Sequence, residues 1–312
     1  MLAQAGTGRP PASTGWLHEI KWDGVRAVLA WDGSSAAMTS RTGNPMAGIY
    51  PELVSAGRAL EPGVILDGEI VAFDETGIPS FELLQRRMNL LRPATEVLQS
   101  VPITYVVFDL LHHGASLTAR PLEERLEQLE AVALPEGFVL SETFEDPVPL
   151  WRFAQDRGLE GVISKRRGSI YRPGARSADW VKSTVFKTVR AVVGGFTEGE
   201  GGRSGGFGAL ILGLPAADGL RWIGSVGSGF SAADVRAIRQ ALDEMTVAEP
   251  PFEPHVDLPS QVTWVAPALV AVVQYKQWTA AGRLRGPSFK GFTDHPIGEV
   301  TWESEGPQAP GG

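Results

Sequence analysis

Asp23-Gly24 and Asp32-Gly33 bracket the apolar run Val25–Trp31 near the start of the chain. Asp-Gly pairs favour tight hairpin turns, because glycine and aspartate tolerate the left-handed backbone such turns require. Trp16–Trp22, Val25–Trp31 and Ala36–Arg41 therefore read as an antiparallel meander, not as the opening of a βαβ unit. Successive strand residues face opposite ways, so Lys21, Asp23 and Glu19 are expected on one side of the sheet. A free lysine, with a pKa of about 10.4, is protonated at neutral pH and is a poor nucleophile. Burial or neighbouring cations can convert it into a good one. Taken alone, the same residues also fit a plain hairpin with a solvated Lys-Asp pair.

Further strands are expected at Val64–Phe73, Ile103–Leu111 and Gly161–Lys165, with helices at Tyr50–Leu60, Phe81–Leu91, Leu122–Val132 and Pro149–Arg157. The start of the chain, to about Thr14, and the segment Ser169–Ala178 read as loops. Beyond Val189 the texture changes. Ala191–Phe196, Ala209–Leu214, Leu220–Val226, Val262–Ala266 and Val270–Trp278 are short strands among glycine-rich turns, with one helix opened by a Ser231–Asp234 capping box. Several short strands with one helix outline an OB-fold barrel. The expectation is thus an α+β domain over residues 1–188, with antiparallel sheets and flanking helices, then a β-barrel over 189–302 and a disordered tail from 303 to 312.

The net charge of −8 argues at first against a nucleic-acid partner, but its distribution argues for one. Lys165, Arg166, Arg167, Arg172, Arg176, Lys182, Lys187 and Arg190 face a single acid, Asp179, within 26 residues, a local +7 that leaves −15 elsewhere. Arg283, Arg285 and Lys290 form a second cluster. The absence of cysteine excludes disulfides and thiolate metal sites. No apolar run is long enough to span a bilayer, and the first residues form no signal peptide, so a cytoplasmic monomer without a membrane partner is expected.

Lys21-Trp22-Asp23-Gly24-Val25-Arg26 matches the K-x-D-G-x-R signature of the covalent nucleotidyltransferases, and later motifs follow in order. These are Ser40-Arg41-Thr42-Gly43, Leu66-Asp67-Gly68-Glu69, Tyr105–Asp109, Glu160–Lys165, Trp180-Val181-Lys182 and Gly282–Gly291. Together the chain resembles ATP-dependent DNA ligases, closest to the ligase domain of bacterial end-joining ligases and their stand-alone relatives. The resemblance implies AMP transfer from ATP to Lys21, then to a 5′-phosphate, and finally displacement of AMP by a 3′-hydroxyl. It assigns Lys21, Asp23, Arg26 and Arg41 to catalysis, with Arg41 at the 5′-phosphate of a nick. Glu19, Lys21, Arg26, Glu69, Phe108, Lys165 and Lys182 go to the nucleotide, with Phe108 stacked on adenine and Lys165 on phosphate. Asp23, Glu69 and Glu160 are assigned to Mg²⁺ or Mn²⁺. Arg41, Arg166, Arg167, Arg172, Arg283, Arg285 and Lys290 are assigned to nicked or broken duplex DNA, with end-joining or repair proteins as partners. Attack on the α-phosphate places negative charge on phosphoryl oxygens, so Lys165 and Lys182 are expected to supply cations and to lower the Lys21 pKa by repulsion.

Read singly, Phe108 also suits a core aromatic and Glu69 a turn carboxylate. Two positions depart from the family pattern. Thr184 stands where a second lysine is usual, and Phe292-Thr293-Asp294-His295 lacks an arginine that orients pyrophosphate, leaving Lys290 or His295 to substitute. The alternatives are an RNA ligase or capping-type nucleotidyltransferase, or a nick- or end-binding module with weakened chemistry.

Overall fold

The computed structural model describes residues 1–253 and 261–307 and divides the chain into two compact units, Met1–Val185 and Phe186–Gly312. The first unit contains β1 (Leu2–Ala5), β2 (Trp16–Ile20), β3 (Val25–Trp31), β4 (Ala36–Ser40), α1 (Pro51–Gly57), β5 (Val64–Val71), α2 (Phe81–Met88) and α3 (Thr95–Ser100). It continues with β6 (Thr104–His113), β7 (Ala115–Ser116), α4 (Leu122–Glu130), β8 (Phe138–Leu140), α5 (Pro147–Asp156), β9 (Gly161–Arg166) and β10 (Arg176–Thr184). Two sheets result. One runs β1-β10-β9-β2, and the other runs β4-β3-β5-β6-β7 with β8 parallel to β6.

The expected hairpin at Asp23-Gly24 is not formed. β2 pairs with β9 in one sheet, whereas β3 pairs with β4 and β5 in the other. Residues 21–24 are a crossing between sheets, held at one end by the Lys21 amide, which donates to the Gly161 carbonyl at 2.9 Å. Gly24 is required by close approach, since a Cβ there would lie 2.2 Å from the Ile70 carbonyl oxygen. The second Asp-Gly does turn a hairpin, between β3 and β4, with Asp32 accepting from the amides of Ser34 and Ser35. Three further differences are local. Leu2–Ala5, expected as loop, is a strand parallel to β10. Phe138–Leu140 forms an unexpected strand beside β6, and Thr95–Ser100 an unexpected helix.

The face of the second sheet that carries Ala27, Leu29, Leu66, Tyr105 and Val107 is buried under the helices. α5 packs behind the first sheet, with Leu150 and Ala154 against Val162. Between the sheets lies a small aromatic cluster of Phe108, Tyr171 and Trp180. The helix starts are readable in the sequence. Ser80 accepts from the Leu83 amide at 3.2 Å, and Asp146 caps α5 ahead of Pro147, which needs no donor at that position.

The second unit comprises β11 (Lys187–Glu198), β12 (Phe207–Ala216), β13 (Gly219–Val226), α6 (Ala232–Glu244), β14 (Val262–Tyr275), β15 (Gln277–Trp278), β16 (Leu284–Arg285), β17 (Ser288–Thr293) and α7 (Trp302–Glu305). Its five-stranded antiparallel sheet runs β13-β12-β11-β14-β17. The Phe289 amide donates to the Ser228 carbonyl at 2.9 Å, and Ser228 Oγ donates to the Pro287 carbonyl at 3.0 Å. These bonds join the last strand to the segment after the first and close an OB-fold barrel. The two strands expected at Val262–Ala266 and Val270–Trp278 are largely one, β14, whose pairing with β11 shifts register between Val193 and Gly195. The Ser231–Asp234 capping box is present, and α6 buries Val235, Ile238 and Leu242. Residues 303–305, expected as disordered tail, belong to α7. There Glu305 receives the Arg190 backbone amide at 2.9 Å and Nε at 2.5 Å. Residues 308–312 lie outside the described residues.

Gly161 combines φ +145° with a Cβ position 2.0 Å from the Ser183 carbonyl oxygen, and its own carbonyl holds Lys21. Gly161→Ala is expected to lower unfolding free energy in urea melts by on the order of 2–5 kcal/mol, from strain plus overlap. A loss below about 0.5 kcal/mol would show that the crossing tolerates displacement.

Candidate nucleotide site

One face of the first sheet and one face of the second meet along a cleft lined by Glu19, Ile20, Lys21, Trp22, Arg26, Glu69, Phe108, Ile163, Lys165, Trp180 and Ala3. Strand geometry explains the first set. Glu19 pairs with Ile163, and Lys165 with Trp180, so these side chains share a face. Lys182 opposes Ile163 and lies on that face too, although it does not line the cleft. On the other sheet Arg26 pairs with Glu69. Phe108 reaches the cleft by simple alternation, opposite the core-facing Val107. A bulge follows, because Gly68 pairs with Val107 and Asp67 with Asp109, and the extra residue leaves Asp109 on the same side as Asp67.

The charges of the cleft come in pairs. Lys21 Nζ contacts Glu160 Oε2, with side-chain exposures of 19% and 14%. Lys165, essentially buried, lies 2.6 Å from Glu19 Oε1, donates to the Phe108 carbonyl at 2.9 Å, and sits over the rings of Phe108 and Trp180. Arg26 grips Asp67 with both ends of its guanidinium, Nε to Oδ1 at 3.0 Å and Nη2 to Oδ2 at 2.5 Å, while Nη1 donates to the Met1 carbonyl at 2.6 Å. Tyr171 donates its hydroxyl to Asp67 Oδ2 at 2.7 Å. Behind it, Arg125 and Asp109 form a fully buried bidentate pair at 2.7 and 2.8 Å.

This arrangement alters two expectations. Lys165 is paired with Glu19 and donates to the Phe108 carbonyl, so it does not stand as an unpaired cation beside Lys21. The three carboxylates Asp23, Glu69 and Glu160 do not assemble into one site. Among the described residues no group of three His, Cys, Asp or Glu has metal-binding geometry. Glu69 lines the cleft and Glu160 holds Lys21, whereas Asp23 stands partly exposed at the crossing outside the lining. Mg²⁺ is commonly bound by one or two carboxylates together with substrate phosphates, and Glu69 and Glu160 suit that mode better than a protein-only cage. The cleft volume of about 130 Å³ is below the ~300 Å³ usual for small-ligand pockets, so it encloses part of a nucleotide and leaves the rest outside.

The remaining candidates are spread more widely. Arg41 is exposed on the Ser40–Asn44 turn, which the Ser40 amide closes by donating to the Asn44 carbonyl at 2.8 Å. Arg166 and Arg172 are about half exposed and share Asp179 at 3.4 and 3.2 Å, while Arg167 pairs with Glu145 at 2.5 Å. The basic segment is therefore not one free strip, for Lys165 is buried in the cleft and Arg190 is bound to Glu305 in the second unit. Arg283 lies 4.1 Å from the centre of the Trp222 ring and donates to the Trp222 carbonyl. Arg285 is partly buried in β16, and Lys290 is exposed on β17. Thr184 ends β10 opposite Gly161. Thr293 accepts from the His295 amide at 3.2 Å, and His295 lies between Arg190 at 3.0 Å and Glu299 at 3.5 Å. Asp67, Trp180 and Tyr171 were not singled out by sequence. The first two stand inside motifs that were, whereas Tyr171 sits in a polar loop with no periodic signal.

A sheet-built cleft presenting a lysine, followed by an OB-fold barrel, defines a nucleotidyltransferase of the ligase type. The chain belongs to the ATP-dependent DNA ligase family: residues 1–183 match the ATP dependent DNA ligase domain, and residues 203–295 the ATP dependent DNA ligase C terminal region. It is 37% identical over 310 residues to the multifunctional non-homologous end joining protein LigD of Mycolicibacterium smegmatis, covering 97% of this chain and 39% of that protein. A DNA ligase of Natronomonas pharaonis is 31% identical, covering 94% of this chain and 55% of that one. Among solved structures, the ligase domain of M. tuberculosis LigD is 34% identical with a TM-score of 0.53, covering 96% of each chain. The chain thus spans about two fifths of the LigD proteins it matches.

Burial pushes the Glu69 carboxyl up to about 8, against the pull of Lys21 and Arg26. The folded state then holds a proton that the unfolded state releases near pH 4.5, so this group's contribution to stability declines as pH rises from about 4.5 through about 8. Glu69→Gln should flatten that decline in urea melts across the same window. An identical slope in wild type and variant would place the titration elsewhere.

Proposed function

We propose that this chain is an ATP-dependent DNA ligase that seals nicked or broken duplex DNA through a lysyl-AMP intermediate. The observation that carries it is Lys21, placed at the wall of a cleft whose other walls are an aromatic cluster and matched ion pairs, in a chain of this family. Nζ of Lys21 attacks the α-phosphorus of ATP, forming a P–N bond and releasing pyrophosphate. The AMP then passes to a 5′-phosphate, and a 3′-hydroxyl displaces it to form the phosphodiester. The amine must shed its ammonium proton first, and Glu160 holds that ammonium at the start. Phe108 offers an aromatic face to the base, and Arg26 presents its guanidinium alongside. Mg²⁺ or Mn²⁺, bound by Glu69 and Glu160 with the phosphates, would neutralise developing phosphoryl charge. Arg41, Arg166, Arg167, Arg172, Arg285 and Lys290 supply partly or wholly exposed cations for the DNA backbone. The relatives named for end joining support broken ends as a substrate and end-joining proteins as partners.

Incubation with α-labelled ATP and Mg²⁺ should leave an acid-labile label on the denatured wild-type protein, and Lys21→Ala should abolish it. A label of equal intensity on Lys21→Ala would remove Lys21 as the nucleophile.

A further inference from the structure

Tyr171 lies in the loop between β9 and β10, which sequence periodicity leaves blank, yet its ring is among the most constrained in the first unit. Its amide donates to the Thr118 carbonyl at 2.8 Å. One ring neighbour is Trp180, edge to face at 6.0 Å, and another is the buried Arg125 guanidinium at 5.8 Å. Arg125 is itself immobilised by Asp109 and by the carbonyls of Arg120 and Ser169. With the ring held, the hydroxyl can choose only its proton direction, and it faces Asp67 Oδ2 at 2.7 Å. That carboxylate is fully buried, its other donors both come from Arg26, and Arg26 Nη2 also donates to the Tyr171 hydroxyl itself at 3.3 Å. Arg26 in turn lies 5.2 Å from the Phe108 ring centre and 5.6 Å from that of Trp180, inside the cleft.

We propose that Tyr171 is a positioning residue of the nucleotide subsite, acting through Asp67 and by its own contact with Arg26 to fix the guanidinium at the orientation in which it meets ATP. The assignment rests on the ligase function proposed above only in naming ATP as the ligand. Without the hydroxyl, Asp67 keeps a vacant acceptor site in a dry environment, and the guanidinium is the neighbouring donor group able to rotate toward it. The fold has no such dependence, because the ring contacts of Tyr171 survive in phenylalanine.

The test is a double-mutant cycle on nucleotide binding. Calorimetry with α,β-methylene-ATP, which cannot transfer AMP to lysine, reads affinity independently of chemistry. Tyr171→Phe should weaken binding on the order of tenfold, the effect expected for one hydrogen bond to a charged group. In the Arg26→Ala background the same substitution should change affinity less than twofold, because the group it positions is gone. In the labelling assay the KM for ATP should rise while the rate at saturating ATP stays within about twofold. Additive losses in the cycle, or a Tyr171→Phe protein with wild-type affinity, would overturn the assignment. A general loosening would instead lower the melting temperature and the saturated rate together, which would also overturn it. If the wild type binds the analogue but never becomes labelled, the lysyl-AMP chemistry fails while the cycle still decides the role of Tyr171.

Discussion

Charge removed from water is the constraint around which the first unit is organised. Glu19 with Lys165, Arg26 with Asp67, and Arg125 with Asp109 all place full charges where solvent is nearly absent. Such pairs add little net stability over apolar substitutes, but removal of one partner typically costs about 3–5 kcal/mol. Each pair also joins distant parts of the chain. Glu19 and Lys165 tie β2 to β9, Arg26 and Asp67 tie β3 to β5, and Arg125 and Asp109 tie α4 to β6. The cleft can thus be lined with many charges, each cancelled by a partner within the folded chain.

The pattern of legibility in the sequence follows from the range of each interaction. Strands, helix caps and the change of texture near residue 189 are local, and alternation, capping side chains and turn residues reveal them. Motif order placed Lys21, Arg26, Glu69 and Phe108 along one cleft. Pairing across sheets is not local. Asp23-Gly24 carries the chemistry of a hairpin turn, yet the close packing of Gly24 on the Ile70 carbonyl directs β3 to a different sheet from β2. The partner of a buried ion is equally invisible, so the pairing of Lys165 with Glu19 could not be read from the chain.

The bulge at Phe108 shows how one residue of extra length serves a site. Tyr105 and Val107 face the helix-covered core, and strict alternation would leave Phe108 and Asp109 on opposite faces. Alternation carries Phe108 into the cleft, and the additional residue keeps Asp109 on the side of Asp67, buried against Arg125. A single irregularity therefore keeps the aromatic wall and the anchor behind it on one side of the sheet.

The crossing at residues 21–24 has a different kind of consequence, for how such a chain can change in evolution. β2 and β3 are each registered against partners in separate sheets, and both registers are fixed by buried faces. One residue inserted or deleted between them must be absorbed by a strand. A one-residue slip in a strand turns its core-facing set toward the opposite face. Change of length is thus resisted there, in addition to the close approach that excludes any side chain at Gly24. The interval from lysine to the first core residue of β3, Ala27, behaves as a ruler whose length is set by two sheets at once.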